Sequence, residues 1–191
     1  GNKEYEGNYI DDVAQGIWIS WHENGKKEKE VSMINGKRNG ISTEWDENGI
    51  KLRDVNYKNG KLHGLWRKWH ENGEKLQDRY FEDGDRVGTE TTWHPNGQIY
   101  EQGNYKLDNK AGVWTRYYPS GKKLEEGIWD GFEREGIWII WYENGQKFSE
   151  GVYAPGTGGI FKNGKWTEWY ENGQKKSEGS YVYDGLAEPP I

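Results

Sequence analysis

Three histidines, His22, His70 and His94, stand in register along a chain of 191 residues, and imidazoles at a fixed spacing first suggest metal ligation or general-base chemistry. Each lies six residues after a glycine. The same offset holds Asp46 in one place and Tyr118, Tyr142 and Tyr170 further along. One residue on, Glu23, Glu47, Glu71, Glu143 and Glu171 also align. Two carboxylates ~5–9.5 Å apart are what glycoside hydrolysis requires. A third signal, Gly159-Ile160-Phe161-Lys162-Asn163-Gly164-Lys165, has the opening of a phosphate-binding loop.

Whether any of these groups can act together depends on the elements that carry them. Gly16, Gly40, Gly64, Gly88, Gly112 and Gly136 recur every 24 residues, and Gly164 follows after 28. A period between about 20 and 50 residues marks a repeat architecture. Two residues after each glycine stand Trp18, Ser42, Trp66, Glu90, Trp114, Trp138 and Trp166. Five residues after stand Trp21, Trp45, Trp69, Trp93, Tyr117, Trp141 and Trp169. A third column, seventeen on, reads Met33, Tyr57, Phe81, Tyr105, Trp129, Tyr153 and Tyr181, with Tyr9 in the same phase. The chain is therefore one array: a partial repeat 1–15, repeats 16–39, 40–63, 64–87, 88–111, 112–135, 136–163 and 164–187, and a tail 188–191.

Between the first and third columns lies Asn24-Gly25, Asn48-Gly49, Asn72-Gly73, Asn96-Gly97, Asn144-Gly145 or Asn172-Gly173, with Ser120-Gly121 as the variant. Asn-Gly suits a two-residue type I′ turn, in which both central residues need positive φ. A second turn, such as Asn35-Gly36 or Asn59-Gly60, closes most repeats. Two turns per repeat leave two strands of roughly six to eight residues, rich in Trp, Tyr, Ile and Val as strands are. No sustained helical periodicity competes. The expected fold is all-β: an elongated, twisted, single-layer antiparallel β-meander of about fourteen or fifteen strands.

Only 32% of residues are hydrophobic and 30% are charged, so aromatic rows must supply most of the burial. The first two columns differ by three positions. Either both faces carry aromatics or a bulge brings the columns to one face. The repeats with Ser42 and Glu90 are expected to be looser or to present a different surface. A net charge of −6 and a pI near 5.4 argue against nucleic-acid binding, which depends on Lys and Arg. Cysteine is absent, and no stretch reaches the ~18 apolar residues of a membrane span.

This geometry weighs against the chemistry. Successive repeats lie two strands apart, ~9–10 Å, too far for the histidines to share one metal ion. Glutamate repeated before every turn reads as turn chemistry and solubility. The phosphate-loop signal has Trp166 where a hydroxyl residue should follow, and lacks the strand–loop–helix context. The extra residues around Ala154-Pro155-Gly156-Thr157-Gly158-Gly159 read as a tolerated surface insertion. His63 reads as a solvated turn residue. No catalytic residue, metal or cofactor is assigned. The column His22, His70, His94, Tyr118, Tyr142 and Tyr170 is the candidate binding surface.

The segments Gly64-Leu65-Trp66-Arg67-Lys68-Trp69-His70-Glu71-Asn72-Gly73 and Gly136-Ile137-Trp138-Ile139-Ile140-Trp141-Tyr142-Glu143-Asn144-Gly145 resemble the MORN repeat variant, as does Tyr57–Gly64. This variant occurs in bacterial proteins grouped as the YwqK-type antitoxin family. The resemblance implies a non-enzymatic scaffold for protein or lipid contact, with a toxin as one partner class and an exported or surface location. Glycan or cell-wall binding through exposed aromatic rows is the alternative. Open sheet edges, above all near Tyr5–Ile10, also invite self-association.

Overall fold

The computed structural model describes residues 4–154 and 161–182, in which fifteen strands run in chain order in an open antiparallel sheet. No helix occurs among the described residues. The chain divides into two compact units, residues 1–97 and 98–191. The first carries β1 (Tyr5–Ile10), β2 (Val13–Trp21), β3 (Lys27–Ile34), β4 (Lys37–Trp45), β5 (Lys51–Lys58), β6 (Lys61–Trp69), β7 (Lys75–Glu82) and β8 (Asp85–Trp93). The second carries β9 (Ile99–Lys106), β10 (Asn109–Tyr117), β11 (Lys123–Gly131), β12 (Glu133–Trp141), β13 (Lys147–Tyr153), β14 (Lys162–Trp169) and β15 (Lys175–Tyr181). The insertion at Pro155–Gly159, the first two residues of the phosphate-loop signal and the tail 188–191 lie outside the described residues.

The first turn departs from the expected type I′ geometry. At Asn24-Gly25 only the glycine has positive φ (82°). The His22 N–H donates to the Lys26 carbonyl, and the Gly25 N–H donates to the His22 carbonyl, both at 2.9 Å. This is a three-residue loop, Glu23-Asn24-Gly25, built from a type I turn followed by one left-handed residue. The asparagine is there for its side chain. Asn24 Oδ1 accepts the Lys26 N–H at 3.0 Å, and Nδ2 donates to the Glu47 carbonyl of the next repeat at 2.6 Å. Type I′ geometry belongs to the other turn, with φ of 50° and 73° at Asn35-Gly36 and 52° and 87° at Asn59-Gly60. Only that turn has its strands separated by two residues, Ile34 pairing directly with Lys37.

The 24-residue glycine marks a bulge. Val55 pairs with Trp66 and Tyr57 with Leu62, so three residues around Gly64 face the single residue Asn56. Gly64 adopts φ 89°, which side-chain-bearing L-residues rarely do, and Asn56 Nδ2 donates to the freed Leu65 carbonyl at 2.5 Å. The glycine is thus fixed by backbone geometry.

The two tryptophan columns face opposite sides. One face carries the row that crosses the strands through the first column. In the N-terminal unit it runs Gly7, Trp18, Val31, Ser42, Val55, Trp66, Arg79, Glu90. In the C-terminal unit it runs Gly103, Trp114, Gly127, Trp138, Gly151, Trp166, Gly179. Here each indole lies flat on the glycine of the preceding strand: a Cβ on Gly127 would sit 2.1 Å from the Trp138 ring. Trp114 and Trp138 are 2% exposed and form the core of this unit. Their Nε1 atoms donate to the carbonyls of Asn104 and Ile128 at 3.2 and 3.1 Å.

Neither substituted repeat is loose or turned outward. Ser42 is 3% exposed and Glu90 6%, as buried as the tryptophans they replace. Val31 and Val55 flank Ser42 and supply the missing volume. Glu90 receives Arg79 Nε at 2.8 Å and Gln77 Nε2 at 3.0 Å, so its buried carboxylate is paired.

Candidate binding surface

The histidine–tyrosine column holds the repeats together. His22 Nε2 lies 2.9 Å from the Trp45 carbonyl, and His70 Nε2 3.0 Å from that of Trp93. A carbonyl only accepts, so both imidazoles carry their proton on Nε2. The Tyr118 hydroxyl donates to the Trp141 carbonyl at 2.8 Å, and Tyr142 to that of Trp169 at 3.0 Å. Burial, and then the carboxylates of Glu143 and Glu171, push the Tyr118 hydroxyl above its ordinary pKa, which keeps the donor protonated. A hydroxyl replaces an imidazole because each reaches one backbone oxygen of the next repeat. His94 occupies the same place on the half-buried side of its loop, whereas Tyr170 is 51% exposed. Within each unit the members bond to separate carbonyls, His22 and His70 in the first and Tyr118 and Tyr142 in the second. His63 belongs to β6, with Nδ1 3.5 Å from both the Asp83 amide nitrogen and a carboxylate oxygen of Asp83. The column glutamates are the exposed first residues of the three-residue loops.

The face bearing the second tryptophan column has a repeated three-part contact. A lysine opens the second strand of the hairpin, pairs with an acid three residues on, and lies over the tryptophan of the next repeat. Lys27 pairs with Glu30 at 2.6 Å and sits 5.9 Å from the Trp45 ring centre. Lys51 pairs with Asp54 at 3.1 Å and sits 5.1 Å from Trp69. Lys123 and Glu126 repeat this against Trp141. The acid also bonds across the strand, to the Thr43 hydroxyl from Asp54 and to the Arg67 fork from Asp78 at 2.6 and 2.7 Å. Burial raises the Glu126 carboxyl, but hydrogen bonds from Lys123 and Thr115 outweigh it and leave the group below its ordinary value.

The same face exposes one aliphatic side chain beside each of several opening glycines: Ile17 (56%), Ile41 (56%), Val113 (55%) and Ile137 (58%). Sequence reasoning singled out the aromatics and missed this stripe. The signal was available in the β-branched residue one position after the glycine, where alternation puts it opposite the buried first column. None of the twelve tryptophans is exposed: each is buried or half-buried.

The first-column face carries a ladder of charges. Glu44 is held by Lys29 at 2.8 Å and Arg53 at 2.5 Å, and Arg116 by Glu101 and Glu125 at 3.2 and 3.1 Å. Burial pushes the Glu44 carboxyl up, but Arg53 and Lys29 together hold it below the usual range. Among the described residues no cluster of three or more His, Asp or Glu is placed to hold a metal ion. No helix among them is long and apolar enough to cross a membrane.

Hairpins stacked by carbonyl struts, with side chains spread in rows, define a repeat scaffold. The chain belongs to the MORN repeat variant family, which it matches at residues 14–35, 38–59, 62–84, 86–107, 110–130, 134–154 and 162–183. Each matched segment starts two residues before an opening glycine. MORN repeats are generally associated with protein or membrane binding, and such scaffolds are typically non-catalytic. No curated protein matches the chain.

Proposed function

We propose that this protein is a non-enzymatic scaffold that binds a partner protein, in the manner of an antitoxin or immunity protein, through the face bearing the second tryptophan column. The observation that carries this reading is an exposed aliphatic pair in each unit, Ile17 and Ile41 in the first and Val113 and Ile137 in the second, each side chain more than half exposed and accompanied by lysine–acid pairs. Apolar centres with a charged rim are what protein interfaces present. The net charge of −6 favours a protein over an anionic lipid surface. The candidate column His22, His70, His94, Tyr118, Tyr142 and Tyr170 is a second surface proposed for the partner, with the polar atoms of His22, His70, Tyr118 and Tyr142 held on backbone carbonyls. Glycan binding needs exposed aromatic rows, and with half-buried or buried tryptophans we rank it second.

The test pairs the wild type with Ile17→Lys/Ile41→Lys and with Ile137→Lys, in co-purification from the native host. The expected result is retained folding by circular dichroism and loss of the co-purifying protein. Undiminished capture by both variants would remove the stripe from the interface. A protein that neutralises a co-expressed toxin in the wild type but not in the variants establishes the antitoxin role.

A further inference from the structure

Three cations of the C-terminal unit mark a site that the N-terminal unit leaves open. Two residues before their opening glycines, Lys110, Arg134 and Lys162 lie over the indole of the same repeat, 3.8 Å from the Trp114 ring centre, 4.0 Å from Trp138 and 4.4 Å from Trp166. Each indole also meets an aromatic of the preceding strand edge-on: Tyr105 at 5.3 Å, Trp129 at 5.8 Å and Tyr153 at 5.0 Å. An aromatic pair of this kind, with its negative ring face, draws a cation most strongly where water is excluded.

The first full repeat has the same pair. Tyr9 and Trp18 meet edge-on at 4.9 Å, and Trp18 lies on Gly7 as the others lie on their glycines. At the position of the cation stands Ala14. A cavity of about 520 Å³ opens there, with Tyr5, Tyr9, Ala14, Trp18, Met33 and Arg38 in its wall. Trp18 Nε1 is buried without a hydrogen-bond partner, where Trp114, Trp138 and Trp166 each donate to a carbonyl. Aromatic walls, the underlying glycine and space are present, and only the cation is missing.

We propose that this cavity binds a lysine or arginine side chain of a partner protein, seating its ammonium or guanidinium group against Trp18 where three other repeats seat their own. Arg38 on the far wall does not oppose this. It is held on the next repeat, 5.3 Å over the Tyr57 ring with a 3.2 Å bond to its hydroxyl. Consecutive cations also share one ring elsewhere, with Lys110 and Arg134 at 4.9 and 5.7 Å from Trp129. Lys29 in the wall is paired with Glu44 at 2.8 Å, and Glu28 contributes a carboxylate anchored by the Ser20 hydroxyl at 2.9 Å. The site rests on the protein-binding reading only for the source of the cation. It lies on the face opposite the aliphatic stripe.

The experiment follows the Trp18 indole N–H by heteronuclear NMR during titration with N-acetyl-arginine amide, N-acetyl-lysine amide and the neutral isostere N-acetyl-citrulline amide. The expected result is a saturable shift in the millimolar range for the two cationic probes and little response to citrulline. Ala14→Lys, which supplies the cation internally, is expected to weaken probe binding about tenfold or more. Ala14→Met, which fills the space without charge, is expected to do the same and serves if Ala14→Lys fails to fold. Equal response to citrulline, no response of Trp18 to any probe, or full affinity in the filled variants would overturn the proposal. Ile41→Lys is expected to leave the titration unchanged, so failure of the stripe and failure of the cavity are read separately.

Discussion

The same row of side chains is built two ways in the two units. From Gly103 to Gly179 it alternates glycine and tryptophan, and Trp114, Trp138 and Trp166 repeat one solution: a flat indole on the bare backbone of the preceding strand. From Gly7 to Glu90 it uses that solution once, at Gly7 and Trp18, and then turns to Val31–Ser42–Val55 and Arg79–Glu90. Both versions bury their central residues, Trp114, Trp138 and Trp166 in one and Ser42, Val55 and Glu90 in the other. What differs between them is how a residue is matched to its neighbours across the strands: glycine under an indole in one, valines beside a serine and an arginine beside a glutamate in the other. An indole lies flat where the preceding strand offers glycine, Trp66 sits instead between Val55 and Arg79, and a buried acid stands where its neighbour is basic.

The largest expected effect comes from breaking the charged solution. Arg79→Met leaves Glu90 buried beside Gln77 alone and should cost about 3–5 kcal/mol in urea unfolding, the usual penalty for an orphaned buried charge. Adding Glu90→Met to it should recover most of that loss. A double variant no better than the single one would show that the pair is not the reason Glu90 is tolerated. In the uniform row, Gly127→Ala drives a methyl into the Trp138 ring, and about 1–3 kcal/mol of destabilisation in urea unfolding is expected. A neutral Gly127→Ala would mean that the indole shifts freely.

The smallest effect is electrostatic. Glu44 in one unit and Glu126 and Glu178 in the other are held below the ordinary glutamate value of 4.5, Glu178 down to about 2 by hydrogen bonds from Lys175 and Lys165. A carboxyl lowered in the folded state adds stability that is fully present above its unfolded pKa and is lost as pH falls through the folded one. Denaturation midpoints should therefore fall slightly as pH drops from about 5 toward 2, from the unfolded carboxyl value down through the lowered folded ones, and Glu44→Gln should flatten that slope. An unchanged slope in Glu44→Gln would assign the acid sensitivity to other groups.

Much of this was readable in the residues, and what was not has local causes. Period, strand count and the presence of two turns per repeat follow from glycine and aromatic spacing, because each repeat must satisfy the same backbone geometry. The type of the first turn was not readable, since Asn-Gly fits type I′ by backbone preference while the Asn24 side chain bonds the Lys26 amide of its own loop and the Glu47 carbonyl of the next repeat. The candidate column was legible as a pattern, but its bonds to Trp45, Trp93, Trp141 and Trp169 involve backbone oxygens that carry no mark in a sequence. Ser42 and Glu90 looked like weak points for the same reason: their compensating neighbours, eleven residues back, become adjacent only across a hairpin.

By itself the sequence determined the repeat, the antiparallel hairpins and the rarity of aliphatic core, because turn glycines and alternation act within a few residues. The tertiary structure alone decided which tryptophan column is buried, which glycines carry an indole, and where a cation is missing. Those are properties of strand register, which joins residues that share no neighbourhood in the chain.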